Sequence, residues 1–524
     1  MRKDNHFSPI IFALILISGI WLGQLLKPSN NTNASENNKF NLILHQLDEL
    51  YVDSLAKEEL VEKAVENLLT ELDPHSSYIP AKDLEAVNEP MEGSFDGIGV
   101  EFNLKDDTIL VVAPISGGPS QKVGIQAGDK IISVDGEVIA GTNLTNQKVF
   151  DLLRGERGTK VTLEILRIGE EELIIFDITR GKIPIHSIDV AYMIDHELGY
   201  IKVNRFSATT FEEFKVASEE LLNEGMQKLL LDLRNNPGGY LGAAINMANE
   251  FLDNNKLIVY TEGRSRKKEE YFSNASGRLL DTEVIVLIDE GSASASEIVA
   301  GALQDNDRGT VAGRRSFGKG LVQEQFEHND GSAFRITTQR YYTPTGRCIQ
   351  KPYEKGNKDG YDNDWMIRLE NGELTSRDSI HFADSLMFVT PKGKIVYGGG
   401  GIMPDVFIPL DTNSYHNSIS KANRKDLVRG FAFDYTNQHR TELEIVTLEA
   451  FMQFFEIDSY TLNALAKQCE EAGIDLKMHE WTVEDKKIIS TQLKAYIARN
   501  IWNDAGFYPV IHQIDETFQE AIRL

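Results

Sequence analysis

The chain has 524 residues, too many for one ordinary domain, and its 41% hydrophobic and 26% charged residues are those of a folded globular protein. Its 80 Asp and Glu against 54 Lys and Arg leave a net charge of −26, which argues against a general nucleic-acid binder, because that role needs a basic footprint. The two cysteines, Cys348 and Cys469, exclude a disulfide framework and leave one bridge open; no Cys/His cluster has zinc-ligand spacing, so neither metal nor cofactor is expected.

Arg2 and Lys3 precede an apolar run from Pro9 to Leu26, close to the ~20 residues that cross a bilayer. This is the layout of a signal peptide or signal anchor over residues 1–27. Thr32-x-Ala34 is a weak cleavage site, and the length of the run favours an uncleaved anchor in the inner, cytoplasmic membrane. The rest of the chain is then extracytoplasmic, in the periplasm or cell envelope. Residues 28–39 are polar and linker-like. Over residues 40–85 apolar positions recur at helical spacing, which predicts two helices broken near Tyr51-Val52-Asp53 and stopped by Asp73-Pro74.

Residues 86–180 read as short strands between glycine turns, with Asp135-Gly136 as a hairpin signal and two short helices near Pro119–Val123 and Asn146–Leu153. The order of these elements resembles a circularly permuted PDZ domain. Gly97-Ile98-Gly99-Val100 matches its carboxylate-binding loop, and Gly118-Pro119-Ser120 through Asp129-Lys130-Ile131-Ile132 is the second match. Consecutive backbone N–H groups there would form a nest for a C-terminal carboxylate. The tail would pair as an added strand along Val100 to Phe102, its last side chain in an apolar pocket.

From residue 181 to 410 the pattern is α/β. Lys228–Leu233 and Val284–Ile288 are buried strands that run into turns and helices, predicting a largely parallel or mixed sheet. The turns are where chemistry would sit. Gly291-Ser292-Ala293-Ser294-Ala295-Ser296-Glu297 opens a helix, where a serine faces the positive end of the helix dipole. Taken alone, the stretch reads first as an N-cap. Pro237-Gly238-Gly239 lies at an equivalent turn and can offer oxyanion donors. Lys319 sits between Gly318 and Gly320 before an apolar strand, where burial would lower its pKa and make it a general base.

Together these segments resemble the carboxyl-terminal processing, or tail-specific, proteases over about Phe40 to Pro409. The family's Ser-Lys spacing of 25 residues falls on Ser294 and Lys319. Further matches are Leu72 through Tyr78, Phe95 through Gly99, Leu153-Arg154-Gly155 and Tyr341 through Arg347. The resemblance implies a protease core of crotonase/Clp type. It implies Gln323 as the residue that orients the lysine, and an oxyanion hole from the N–H groups of Gly238, Gly239 and Ala295. It also implies capture of protein substrates by apolar C-terminal tails, with Arg154 as the residue that would couple tail binding to the dyad. No histidine lies in a motif tied to Ser294, against a Ser-His-Asp triad; His75 and Asp305 read as structural. Two other classes stand beside the protease: a PDZ adaptor with an inactive protease-like core, and acyl-CoA chemistry on a crotonase-like core. Residues 411–524 read as a helical extension without recognisable chemistry, for which homodimerisation, docking of a regulatory partner or shielding of the site are open.

Overall fold

In the computed structural model, residue 13, residues 15–18 and residues 34–524 are described, apart from 116, 168 and 413–416. The apolar run Pro9–Leu26 lies largely outside the described residues, among which no helix is long and apolar enough to cross a membrane. The chain divides into two compact units, residues 1–68 and 69–524. The first contains the helix Ala34–Leu50 and most of the helix Lys57–Thr70, interrupted at Tyr51 to Asp53 as the spacing predicts. Leu42, Ile43 and Leu50 are exposed on it.

Within the second unit, the β-rich segment forms an antiparallel sheet. Its strands stand in the order Val100–Lys105, Thr108–Pro114, Lys130–Val134, Lys160–Leu166 and Ile174–Thr179. Ile109, Ile131, Leu163, Ile165 and Ile178 alternate inward along these strands and, with Val149 of the helix Asn146–Leu153, make its core. Asp135 and Gly136 both have positive φ (51° and 82°), the condition for the two-residue hairpin their sequence announces. Val100–Lys105 ends the sheet, so its outer edge carries no strand among the described residues. The segment enters and leaves through one ribbon, Ser94–Gly97 paired antiparallel with Gly181–Pro184.

The core of the larger body is a six-stranded sheet in the order Ile188–Met193, Leu198–Val203, Lys228–Asp232, Glu283–Ile288, Thr310–Gly313 and Val406–Phe407. The first pair is antiparallel and the rest are parallel. The helices Thr210–Glu224, Leu241–Asn249 and Ala295–Asp305 bury one face through Phe214, Leu221, Met247, Ile298 and Val299. A second sheet, built on Ala333–Tyr342, brings Ser77–Ile79 and Leu321–Glu327 together on either side of that strand.

The C-terminal extension is helical. Leu427–Gln438, Ser459–Glu471 and Val483–Ile511 pack around Phe451, Leu465, Cys469 and Leu493. The helix Val483–Ile511 kinks at Asn503, whose φ is 53°, and the short helix Glu516–Ala521 follows it as the last of the chain. Beyond the kink, Tyr508, Phe518 and Ala521 cover the other face of the core sheet, against Tyr200, Leu230 and Leu287. The extension is therefore part of the body's hydrophobic core, a role the sequence did not announce. Both cysteines are free thiols.

Candidate active site

The buried strand Glu283–Ile288 ends in a turn that opens the helix Ala295–Asp305, and Ser294 stands at the junction with φ 55° and ψ −111°. A non-glycine residue adopts such a backbone at a cost of about 1–3 kcal/mol, and the surrounding turn enforces it. Ser292 and Ser296 are fully buried and donate their hydroxyls to the carbonyls of Leu233 (2.9 Å) and Asn236 (3.0 Å). Those bonds tie this turn to the neighbouring one and leave Ser294 as the partly exposed serine of the three.

The neighbouring turn follows the strand Lys228–Asp232. Ala293 donates its N–H to Asn236 O at 2.9 Å, which locks the two turns together. A Cβ on Gly238 would stand 2.7 Å from Ser294 Cβ and 2.8 Å from Ala295 N, so only glycine allows this approach. The N–H groups of Gly239 and Ala295 have no acceptor among the described residues. The Gly238 N–H donates to Asn236 Oδ1 at 2.9 Å. Of the three expected oxyanion donors, two are free and one is engaged by its own loop.

Lys319 lies in the loop before the strand Leu321–Glu327, and its Nζ donates to Gln323 Oε1 at 3.1 Å. Burial lowers the lysine's pKa; the nearby Glu297 carboxylate opposes that shift and the Arg335 guanidinium reinforces it. Two residues outside the sequence expectations hold the serine and the lysine in register. Glu297 Oε2 accepts the backbone N–H groups of Ser294 (2.8 Å) and Lys319 (2.9 Å), while Oε1 accepts the Ser316 hydroxyl (2.5 Å) and the Gly318 N–H (2.8 Å). The single Tyr341 hydroxyl proton is shared between the carbonyls of Ser294 (3.1 Å) and Lys319. Both residues are fully or almost fully buried. Glu297 was legible in principle, since Ser294-x-x-Glu297 has the spacing of a capping box. Tyr341 carries no such local signal.

His75 Nε2 bonds Tyr361 Oη at 3.1 Å, and burial together with the Lys319 charge pushes its pKa down to about 3. Asp73 caps its own turn, accepting from His75 N, Ser76 N and the Thr337 hydroxyl. Asp305 forms a fully buried ion pair with Arg347 at 2.7 Å. At the β-rich segment, Ile98 is buried, Gly99 has φ 74°, and the N–H groups of Ile98 and Gly99 have no acceptor among the described residues. Gly97 lies in the connecting ribbon, and Val100 and Phe102 begin the free edge strand, with Phe102 edge-on to Phe150 at 5.7 Å. Arg154 ends the helix Asn146–Leu153; its guanidinium lies 4.7 Å from the rings of both Phe95 and Phe150 and pairs with Glu89 at 2.5 Å.

Comparison with known proteins finds three matching families. Peptidase family S41 matches residues 197–357, the PDZ domain matches residues 110–167, and a family of unknown function matches residues 418–503. A carboxy-terminal-processing protease of Bartonella bacilliformis is 37% identical over 351 residues, spanning 64% of this chain and 80% of that relative. The solved photosystem II D1 C-terminal processing protease is 26% identical with a TM-score of 0.36, covering 71% of this chain and 92% of its own. The PDZ domain of a carboxy-terminal protease from Vibrio cholerae, solved in complex with a peptide, is 31% identical with a TM-score of 0.16, covering 17% of this chain and 97% of its own.

Proposed function

The chain belongs to peptidase family S41 and is a carboxy-terminal-processing serine protease with a PDZ domain, and from that premise we propose that it cuts by Ser294–Lys319 acyl transfer. The observation that carries this reading is the shared clamp on the two residues: Glu297 and Tyr341 each bond the backbone of both. Neutral Lys319 takes the Ser294 Oγ proton as the oxygen attacks the scissile carbonyl. Gln323 orients the lysine. The N–H groups of Gly239 and Ala295 receive the oxyanion, and Gly238 adds a third donor when Asn236 Oδ1 releases it. Lys319 then protonates the leaving amine, and water releases the acyl-enzyme.

We read the core as of crotonase/Clp type, on its mostly parallel sheet with the site at the strand ends. The substrate's apolar C-terminal tail adds to the Val100–Lys105 edge, its carboxylate on the Ile98 and Gly99 amides. The charged N-terminus and the apolar run after it support anchoring in the inner membrane and work in the cell envelope. Assembly as a homodimer follows the resemblance alone. The adaptor and acyl-CoA readings give way to the peptidase.

The test is proteolysis of an unstructured protein ending in an apolar residue. Wild type cleaves it, and Ser294→Ala and Lys319→Ala each lose at least about 1,000-fold in kcat with unchanged melting. Retained cleavage by either variant rejects the dyad. Membrane pelleting before and after removal of residues 1–27, and sedimentation of the soluble remainder, test the anchor and the dimer.

A further inference from the structure

A cavity of about 760 Å³ runs along the free edge of Val100–Lys105. Such a volume lies within the ~300–1,000 Å³ of ordinary ligand clefts. One wall is the PDZ domain: the strand itself, Leu110 and Phe150. The other wall is not. It includes Leu427, Arg429, Gly430 and Phe433 on the helix Leu427–Gln438 of the C-terminal extension.

The strand's own alternation fixes which side meets which wall. Val100, Phe102 and Leu104 turn into the PDZ core. Between them, Glu101 and Asn103 face a smaller cavity shared with Arg429 and Phe433, and Lys105 is bonded to Asp434 at 2.6 Å. An added strand alternates in the same way, every second side chain toward the PDZ pocket and the others away from it. Here the outward ones meet the helix instead of solvent.

Gly430 is the second observation. Glycine inside a helix costs about 1 kcal/mol relative to alanine. No atom lies within 4 Å of the position its Cβ would occupy, so packing within the fold does not demand it. Its effect is to keep the cavity wide at the middle of the outer wall.

We propose that the C-terminal helical region is the second wall of the tail-binding groove: the extended C-terminal segment of a substrate lies between the PDZ edge strand and the helix Leu427–Gln438, which reads the tail side chains that point away from the PDZ domain. This rests on the tail-capture reading above, and it gives a role to the helix Leu427–Gln438 within residues 418–503, which match a family of unknown function. Selectivity at the outward positions of the tail then belongs to Leu427, Arg429 and Gly430, not to the PDZ fold.

The test is binding of a short fluorescent peptide ending in valine to the full chain, followed by anisotropy. Wild type binds it, and Gly430→Trp weakens binding about tenfold or more, because the indole enters the groove from the far wall. Phe102→Ala weakens it from the PDZ side. Wild-type affinity in Gly430→Trp alongside a loss in Phe102→Ala refutes the second wall and leaves tail capture standing. No binding by a wild-type chain that still cleaves refutes tail capture, and the proposal with it. A second measurement needs no variant. A photoreactive side chain at the penultimate position of the peptide crosslinks to Leu427–Gln438, and one at the last position crosslinks to the PDZ domain. Penultimate crosslinks confined to PDZ residues overturn the proposal.

Discussion

Glu297 holds Lys319 twice, accepting the lysine's backbone N–H at 2.9 Å and opposing with its charge the burial that lowers the lysine's pKa. Burial pushes Glu297 itself up to about 7, against the pull of the donors aimed at its two oxygens. One buried carboxylate therefore helps to place Lys319 and tempers the fall in its proton affinity that burial causes.

The pH dependence follows with a definite sign. In the proposed dyad Lys319 acts as the neutral amine, so kcat/KM is expected to rise with pH through an ionisation below the ordinary lysine value of 10.5. His75, held at about 3, is neutral throughout that range and contributes nothing to it. In Glu297→Gln an anion that raised the lysine's pKa is gone, so the acid limb moves to lower pH. The glutamine cannot accept from all four donors, and kcat falls by about 10–100-fold. A pH–rate profile of the variant checks both; an unshifted limb removes the electrostatic link. Stability has the opposite slope. A carboxyl whose folded pKa is raised from 4.5 to about 7 stabilises the fold below 4.5 and loses that contribution as pH rises through 7. Glu297→Gln flattens this part of the wild-type stability curve in denaturant titrations.

Tyr341→Phe keeps the ring and deletes the hydroxyl shared by the Ser294 and Lys319 carbonyls. Leaving buried carbonyls unsatisfied costs about 1–3 kcal/mol. The melting point drops accordingly, and kcat falls while KM for the substrate holds, since the tail groove is untouched. Equal loss in KM places the effect in the groove instead.

How much of this site the sequence displayed depends on how local the signal was. The serine-rich turn, the Gly238-Gly239 turn and Lys319 are each marked by residues within a few positions, because strand-to-helix turns need glycine and capping residues in fixed places, but the choice of Ser294 among the three serines came from the family's spacing to Lys319. Gln323 came from the resemblance, and its bond to Lys319 spans only four residues. Tyr341 reaches the site from a strand of the second sheet, a pairing set by long-range register that no neighbouring residue records. The engaged Gly238 N–H is equally invisible, because it depends on the rotamer of Asn236. In the extension, helical spacing identified helices but not the surface they cover; Phe518 and Ala521 sit in a helix of six residues, too short for a clear apolar period.

That last helix makes the extension's contribution measurable. Phe518 is buried against Tyr200, with ring centroids 5.5 Å apart, on the second face of the core sheet. Beside it Asp515 pairs with Arg234 at 2.8 Å, and Arg234 leads directly into the oxyanion turn. Phe518→Ala should cost about 3–5 kcal/mol, read as a lower midpoint in urea. Asp515→Asn should cost less and lower kcat, because Arg234 keeps Asp232 but loses its outer anchor. A Phe518→Ala chain as stable as wild type would mean that the extension merely rests on the sheet.

Arg154 offers the sharpest test of coupling between tail and dyad. It stands where the PDZ helix ends, stacked on Phe150 of the tail groove and paired with Glu89. Glu89 belongs to the helix Leu84–Glu92, whose Met91 carbonyl accepts the Ala208 N–H at 2.9 Å. Two residues earlier, Phe206 donates its N–H to the carbonyl of Gly238, also at 2.9 Å. A continuous chain of contacts thus joins the PDZ helix to the Gly238-Gly239 turn. The expected outcome is that Arg154→Ala loses about 5–150-fold of the rate advantage of a tail-bearing substrate. Its rate on the same protein without the apolar tail stays at the wild-type level. Glu89→Gln reproduces the loss in part, and Arg154→Lys restores little of it, because an ammonium cannot stack flat between two rings. Equal losses on both substrates would make Arg154 a structural tie, and unchanged kinetics on both would remove it from the mechanism.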